Sequence, residues 1–557
     1  MINNKVKNLF FIFLSILLCS MSIPKIYAQQ ASLSGHNNFN PQQRPKLVVG
    51  IVVDQMRYDY ITRYWDKFGN DGFKKLVNEG FLLNNTHFNY FPTYTGPGHS
   101  SIYTGTTPSV HGIVGNNWFD RKLGRVVYVT DDSTVHATGG SADAGKMSPA
   151  HQLSTTVTDQ LKLADGQSKV VGISIKDRSS ILPAGHLADA SYWYDGKTGN
   201  FMSSSWYLEQ LPDWVKAFNN QGLAEKYSKQ SWTPLLPVSE YTESGPDNRP
   251  YERPFKQGET PTFPYHLDQY RGNSFNIVKS TPYGNTLVEK MARAALNGEQ
   301  LGEDEHTDFL AVSFSSTDYV GHQFGPNAIE TEDTYLRLDQ DLADFLTYLD
   351  QKVGKDNVLV FLTADHGAVQ VPQKLKDEGI PAGYFDHQTA IDSLKKYLSG
   401  TYKTEKLVRS YINQQVYLNR PLIETLGLKL VEIQQKSADF LMQFDGIRNT
   451  NTAANLRNKA YIRGAQSPYQ NGFYYKRSGD VYLELEPGWL DSRSHQGTSH
   501  GSPYQYDTHV PLIFYGGNIK HGVSSRKTVI PDIAVTVANL LHIQFPDGAT
   551  GSVIEFD

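Results

Sequence analysis

The chain has 557 residues, with 52 Lys and Arg against 57 Asp and Glu and a formal net charge of −5. No basic run or basic face survives that balance, so a nucleic-acid partner is not expected, and a single cysteine excludes a disulfide framework. The length admits several domains, but one large α/β core with long insertions fits equally well.

Residues 1–28 have the pattern of a secretory signal peptide: Lys5 and Lys7, an apolar run from Leu9 to Met21, and Ile26-Tyr27-Ala28 at the cut. That run is short for a membrane span and nothing later approaches the length, so a periplasmic or secreted protein without a transmembrane segment is expected. Cleavage after Ala28 leaves 529 residues with no cysteine and a net charge near −8. Lipid attachment at Cys19 is the alternative, weakened by Leu18, where a lipoprotein signal wants a small residue. Residues 29–45, rich in Asn and Gln, read as a polar leader.

Lys46 to Val53 is an unbroken apolar run, the signature of a parallel strand covered on both faces, and Asp54 stands at its carboxyl end. A short helix is expected over Asp71–Glu79. Phe91 to His99 reads Phe-Pro-Thr-Tyr-Thr-Gly-Pro-Gly-His, which places Thr95 where loop turns into helix, beside unpaired N–H groups. Taken alone, this stretch fits a helix cap as well as a nucleophile. Asn116 follows in Gly115-Asn116-Asn117. Lys169 to Ile175 is another apolar strand, ending in Lys176-Asp177-Arg178. In an extended chain Lys176 and Arg178 share one side, and an Arg fork beside a Lys charge matches a phosphate dianion. The competing reading is two solvated charges at a strand end.

Asp308 to Ser315 repeats the strand grammar and runs into Asp318 and His322; Asn357 to Thr363 runs into Asp365 and His366. Between them, Tyr335, Leu338, Leu342, Phe345, Leu346 and Leu349 mark a helix over Glu330–Val353 that Gly354 ends. A fourth strand, Val510 to Tyr515, comes after His500 rather than before it. It must run antiparallel, or its loop must reach across, for the imidazole to join the same edge. Asp532–Leu541 reads as a last helix. The fold expected is α/β: a doubly wound, mostly parallel sheet with helices on both faces. Residues 46–557 are expected to form one domain, with insertions near 191–284 and 368–497 capping the carboxyl edge. Tyr and Trp in that cap either pack it on the core or hold a substrate's leaving group.

Carboxylates and imidazoles suit zinc. Asp318 and His322, four apart, share one side of a helical turn, and a sharp turn lets Asp365 and His366 face one ion. Each pair alone is commonplace; together with Asp54, His500 and Thr95 they place seven metal-competent or nucleophilic groups in loops that can share one sheet edge.

In this order and setting, Asp54, the Thr95 motif, Asp318-x-x-x-His322, Asp365-His366-Gly367 and Gly497-Thr498-Ser499-His500-Gly501 resemble the alkaline phosphatase superfamily over nearly the whole mature chain. The resemblance implies two zinc ions per chain. Asp54, Asp365, His366 and the Thr95 oxygen would surround one, and Asp318, His322 and His500 the other. It also implies Thr95 as nucleophile, with a phospho-threonine intermediate. Lys176, Arg178 and Asn116 are similar to the phosphoryl-contacting groups of the periplasmic, phosphate-irrepressible, single-chain alkaline phosphatases. Small phosphate monoesters are then the substrates, and a monomer is expected. The enzymatic alternative is a phosphodiesterase or nucleotide pyrophosphatase of the same superfamily; the non-enzymatic one is a zinc-stabilised surface binding protein. Sulfatases fit worse, because no convertible Cys or Ser stands in the motif. Cofactor-independent phosphoglycerate mutases would be cytosolic. Thr93 rivals Thr95, and His99, His111, His495 and His509 lie close enough in sequence to assist or substitute.

Overall fold

A computed structural model describes residues 44–556; the signal segment, Cys19 and all but the end of the polar leader lie outside the described residues. Along the chain, the elements that build the site are β1 (Leu47–Val53), β2 (Phe81–His87), α1 (Thr95–Thr104), β3 (Val170–Ser174), α2 (Asp177–Ala184) and β4 (Ala190–Asp195). They continue with β5 (Asn200–Ser204), β6 (Asp308–Phe314), α3 (Ser316–Phe324), α4 (Ile329–Lys352), β7 (Val358–Thr363) and β8 (His509–Gly516).

These strands belong to one eleven-stranded sheet with the internal order β2-β8-β7-β1-β6-β3-β4-β5. Strands β7, β1, β6, β3 and β4 are parallel. Every residue of β1, β6 and β7 is buried, as apolar strands covered on both faces require. Strand β8 runs antiparallel to both β7 and β2, so β2 points the same way as the parallel set. The residues following β1, β2, β3, β6 and β7 therefore emerge at one edge. Because β8 enters the sheet from that edge, the loop before it delivers His500 there, which meets the condition set by the sequence.

Helix α4 connects α3 to β7 and buries the expected stripe Leu338, Leu342, Phe345, Leu346 and Leu349. Gly354, at φ 92°, closes it.

The stretch 191–284 departs from the expected insertion at its start. Strand β4 pairs in parallel with β3, and β5 returns antiparallel beside it. Tyr192, Trp193, Tyr194, Phe201 and Met202 are all buried there. An aromatic-rich segment that looked irregular is sheet, because large aromatic side chains suit a pleated buried face. Residues 368–497 contain a separate four-stranded sheet formed by Val408–Ile412, Gln415–Leu418, Val481–Leu485 and Ile447–Thr452. It has its own apolar cluster, including Leu394, Val416, Ile433, Leu441 and Leu483.

Candidate active site and metal centre

Thr95 is the first residue of α1 and 1% exposed. Tyr94 takes the N-cap position in extended conformation, and no side chain caps the helix. The Thr95 hydroxyl is turned away from its own helix: Oγ1 lies 3.4 Å from His366 Nε2 and 3.5 Å from Arg178 Nη2. The capping reading therefore fails. The hydroxyl sits at the positive end of α1, where developing negative charge is favoured.

Around it stand six carboxylate and imidazole side chains. His366 Nδ1 donates to the Gly367 carbonyl at 2.9 Å, His322 Nδ1 to Thr498 O at 2.8 Å and His500 Nδ1 to Thr93 O at 2.8 Å. Each Nδ1 is thereby committed as a donor and each Nε2 is turned inward, the orientation of metal-ligating histidines, although at His322 burial is outweighed by Asp318, which raises the pKa of that ring. His366 Nε2 faces Asp54 Oδ1 at 3.5 Å and Asp365 Oδ2 at 3.6 Å. His322 Nε2 faces Asp318 Oδ1 at 3.1 Å, and His500 Nε2 the same oxygen at 3.8 Å. The His366 and His500 rings stack 3.5 Å apart.

Asp318, His322 and His500 thus group closely enough to share one ion, and Asp54, Asp318 and His366 form a second such group. Asp318 stands between the two, while Asp365 reaches the second group through His366. Asp54 Oδ1 and Asp365 Oδ2 are buried with no hydrogen-bond partner. A buried carboxylate oxygen left unpaired is costly, and a cation between them removes the cost. The donor set fits a metal, and its carboxylate-imidazole chemistry suits zinc.

The electrostatics follow from the crowding. Burial, then the neighbouring Asp365, raises the Asp54 pKa well above the usual carboxylate range. Asp318 and Asp365 go the other way: burial opposes ionisation, but imidazoles and Lys176 outweigh it and hold both below that range. Burial pushes His366 and His500 down, keeping them neutral and able to ligate.

Lys176 and Arg178 come together here by a route other than the extended chain expected. Asp177 opens helix α2, so Lys176 is the N-cap residue and Arg178 already helical. Lys176, 3% exposed, places Nζ 2.7 Å from Asp54 Oδ2 and 2.6 Å from Asp318 Oδ2. Burial works against its charge, but Asp318 and Asp54 outweigh that and raise its pKa. Arg178 spans from Thr95 to the Tyr128 hydroxyl, which it reaches at 3.0 Å. Asn116 Oδ1 accepts from Gly96 N at 2.7 Å, which leaves its amide N–H groups as donors beside Thr95. The solvated-charge reading does not hold for either cation.

Two residues in the site had not been singled out. Gln55 donates from its backbone to Asp365 Oδ1 at 3.1 Å and from Nε2 to Asp318 Oδ1 at 2.7 Å, so it ties these two carboxylates together. Its φ of 65° has no signal in the sequence beyond adjacency to Asp54. Tyr128 holds Arg178 and donates to Asp177 Oδ1 at 2.6 Å. The rivals separate cleanly. His99 bonds Thr95 O and Ser313, beside Asp365. Thr93 holds His500 through its carbonyl. His111 bonds Ser101, His495 stacks on Tyr384, and His509 stacks on Tyr58 and His87, all away from the cluster.

Fold and site together define a member of the alkaline phosphatase superfamily. Residues 48–509 match the model of the type I phosphodiesterase / nucleotide pyrophosphatase family, and the chain belongs to that family. Alkaline phosphatase PhoV of Synechococcus elongatus is 46% identical over 97% of this chain and 98% of its own length. Alkaline phosphatase PafA of Elizabethkingia meningoseptica is 44% identical over 94% and 96%. A crystal structure of wild-type PafA matches with a TM-score of 0.89, covering 92% of this chain and 98% of that one. A relative from Myroides odoratus, 47% identical over 92% and 94%, carries the name calcium-transporting ATPase. No described helix of this chain is long and apolar enough to cross a membrane.

Proposed function

We propose that the chain is an exported phosphomonoesterase that uses two zinc ions and a covalent phospho-threonine. The observation that carries this reading is a threonine hydroxyl set against His366 and Arg178, beside two adjoining metal-competent clusters whose carboxylates Asp54 and Asp318 are bridged by the buried Lys176. Asp54, Asp365, His366 and Thr95 would hold one ion, and Asp318, His322 and His500 the other. Metals bound there would acidify the Thr95 hydroxyl and neutralise charge developing on the attacking and leaving oxygens.

The chain's own groups do the rest. Thr95 Oγ1 attacks phosphorus, the bond to the alcohol oxygen breaks, and the phosphoryl group stays on Thr95 until water displaces it as inorganic phosphate. A loose transition state spreads charge over the non-bridging oxygens, so positioned cations and dipoles supply most of the catalysis. Arg178 offers a guanidinium fork, Asn116 its amide and α1 its positive end, with the Lys176 ammonium between the two clusters. Arg178 at the nucleophile, with Lys176 on the neighbouring carboxylates, suits a monoester dianion better than a singly charged diester, which favours phosphatase over the phosphodiesterase chemistry in the family's description. Export rests on residues 1–28.

The test compares an aryl phosphate monoester with its matched diester, before and after chelation and zinc restoration. Metal-dependent turnover favouring the monoester is expected. Preference for the diester would sink the roles of Lys176 and Arg178; no turnover of either by zinc-loaded protein would leave a binding protein.

A further inference from the structure

We propose that the cavity beside His500 receives the alcohol half of the substrate and selects phosphate monoesters whose alcohol carries an ammonium group, phosphocholine being the type case. This rests on the phosphomonoesterase reading above. In an in-line displacement the attacking and leaving oxygens lie on opposite sides of phosphorus. Thr95 attacks from beside His366, so the leaving oxygen falls toward the group formed by Asp318, His322 and His500. His500 and Tyr94 line a cavity of about 240 Å³, whose other walls come from the accessory sheet and the segments around it. The alcohol has that space to enter.

The lining states the chemistry it accepts. Tyr94, Tyr411, Trp489 and Tyr504 present rings, and Glu486 and Asp491 carboxylates, while none of the lining residues is Lys or Arg. Ring faces carry partial negative charge and attract a quaternary or primary ammonium, more so when carboxylates are close. Asp491 accepts from His387 Nδ1 at 2.6 Å and from the Tyr411 hydroxyl at 2.7 Å, which fixes the Tyr411 ring. Glu486 has only a loose pairing, with Arg448 Nη1 at 3.8 Å, and its side chain is 44% exposed. That loose contact leaves room for Glu486 to face a second cation. An alcohol bearing a second phosphate or a carboxylate would bring its negative charge beside Glu486 and Asp491.

The experiment compares phosphocholine with 3,3-dimethylbutyl phosphate, which has the same shape with carbon in place of nitrogen, on the zinc-loaded full-length enzyme. A kcat/KM ratio of about ten in favour of phosphocholine is expected. Glu486→Gln, an exposed and fold-neutral change, should reduce that ratio several-fold while leaving p-nitrophenyl phosphate turnover within about two-fold. Trp489→Leu should also lower the ratio, by raising the KM for phosphocholine. A ratio near one in the wild type, or one that neither variant changes, overturns the proposal. So does failure to cleave both alkyl esters when p-nitrophenyl phosphate is turned over. Loss of all three activities would instead overturn the phosphatase reading beneath it.

Discussion

Thr95 Oγ1 has no hydrogen-bonding role in its own helix, and its neighbours are His366 and Arg178. Thr95→Ala should therefore cut monoesterase kcat by about 10³-fold or more while leaving the zinc content near that of wild type, since the carboxylates and imidazoles remain. Thr95→Ser should keep a large part of the activity; equal losses in both variants would show that the hydroxyl is not the attacking group. Gln55 makes a complementary case. Its side-chain amide donates to Asp318 and its backbone to Asp365, and outer partners of this kind typically change metal affinity by about 10- to 100-fold. Gln55→Leu keeps the bulk and removes the side-chain donor. Zinc should leave this variant at lower chelator concentrations than wild type, read by metal analysis after dialysis; unchanged retention would confine Gln55 to packing.

Between elements, the decisive contact is that of α1 with the end of β7. A Cβ added at Gly98 would run into the Asp365 carbonyl oxygen and backbone, far inside van der Waals distance. Backbone cannot retreat as a flexible side chain can, so Gly98→Ala must push Thr95 away from Asp365 and His366. The expected cost is about 1–3 kcal/mol of stability, seen as a lower Tm, with a fall in kcat beyond what the stability loss explains. A normal kcat would mean that α1 can shift without moving Thr95. The Gly-Pro-Gly of the motif thus records a packing demand, and for that reason this part of the site was legible. So was Asp318-x-x-x-His322, because a spacing of four on a helix maps directly to one face. The strand ends at Asp54 and Asp365 were legible through apolar runs. Lys176 and Arg178 were found for a wrong geometric reason: the helix that begins at Asp177 has only eight residues and little periodicity to announce it. Strands β4 and β5 were missed because aromatic composition there mimics a loop, and Gln55 because a positive φ leaves no compositional trace.

Across the whole molecule, the described residues contain no cysteine, so stability comes from packing and polar satisfaction, and buried acids become a liability at alkaline pH. Segment 247–265 is fastened to the start of α4 where Glu330 accepts from the Tyr265 hydroxyl, and inside the segment Glu252 accepts from Arg249 N at 3.0 Å. Burial pushes the Glu252 carboxyl up to about 8, from an ordinary value of 4.5. Burial and then the nearby Glu252 raise Glu330 as well. Between pH 4.5 and about 8 the unfolded chain has released the Glu252 proton while the folded chain still holds it. Raising the pH across that window therefore favours unfolding, and the penalty is complete above about pH 8. Glu252→Gln resembles the protonated side chain and retains an oxygen to accept from Arg249 N. It should match wild type in Tm near pH 5 and gain on it steadily to pH 9, by on the order of a few degrees. A Tm difference that does not change between those limits would show that Glu252 is ionised in the folded protein and that its charge is met by a partner.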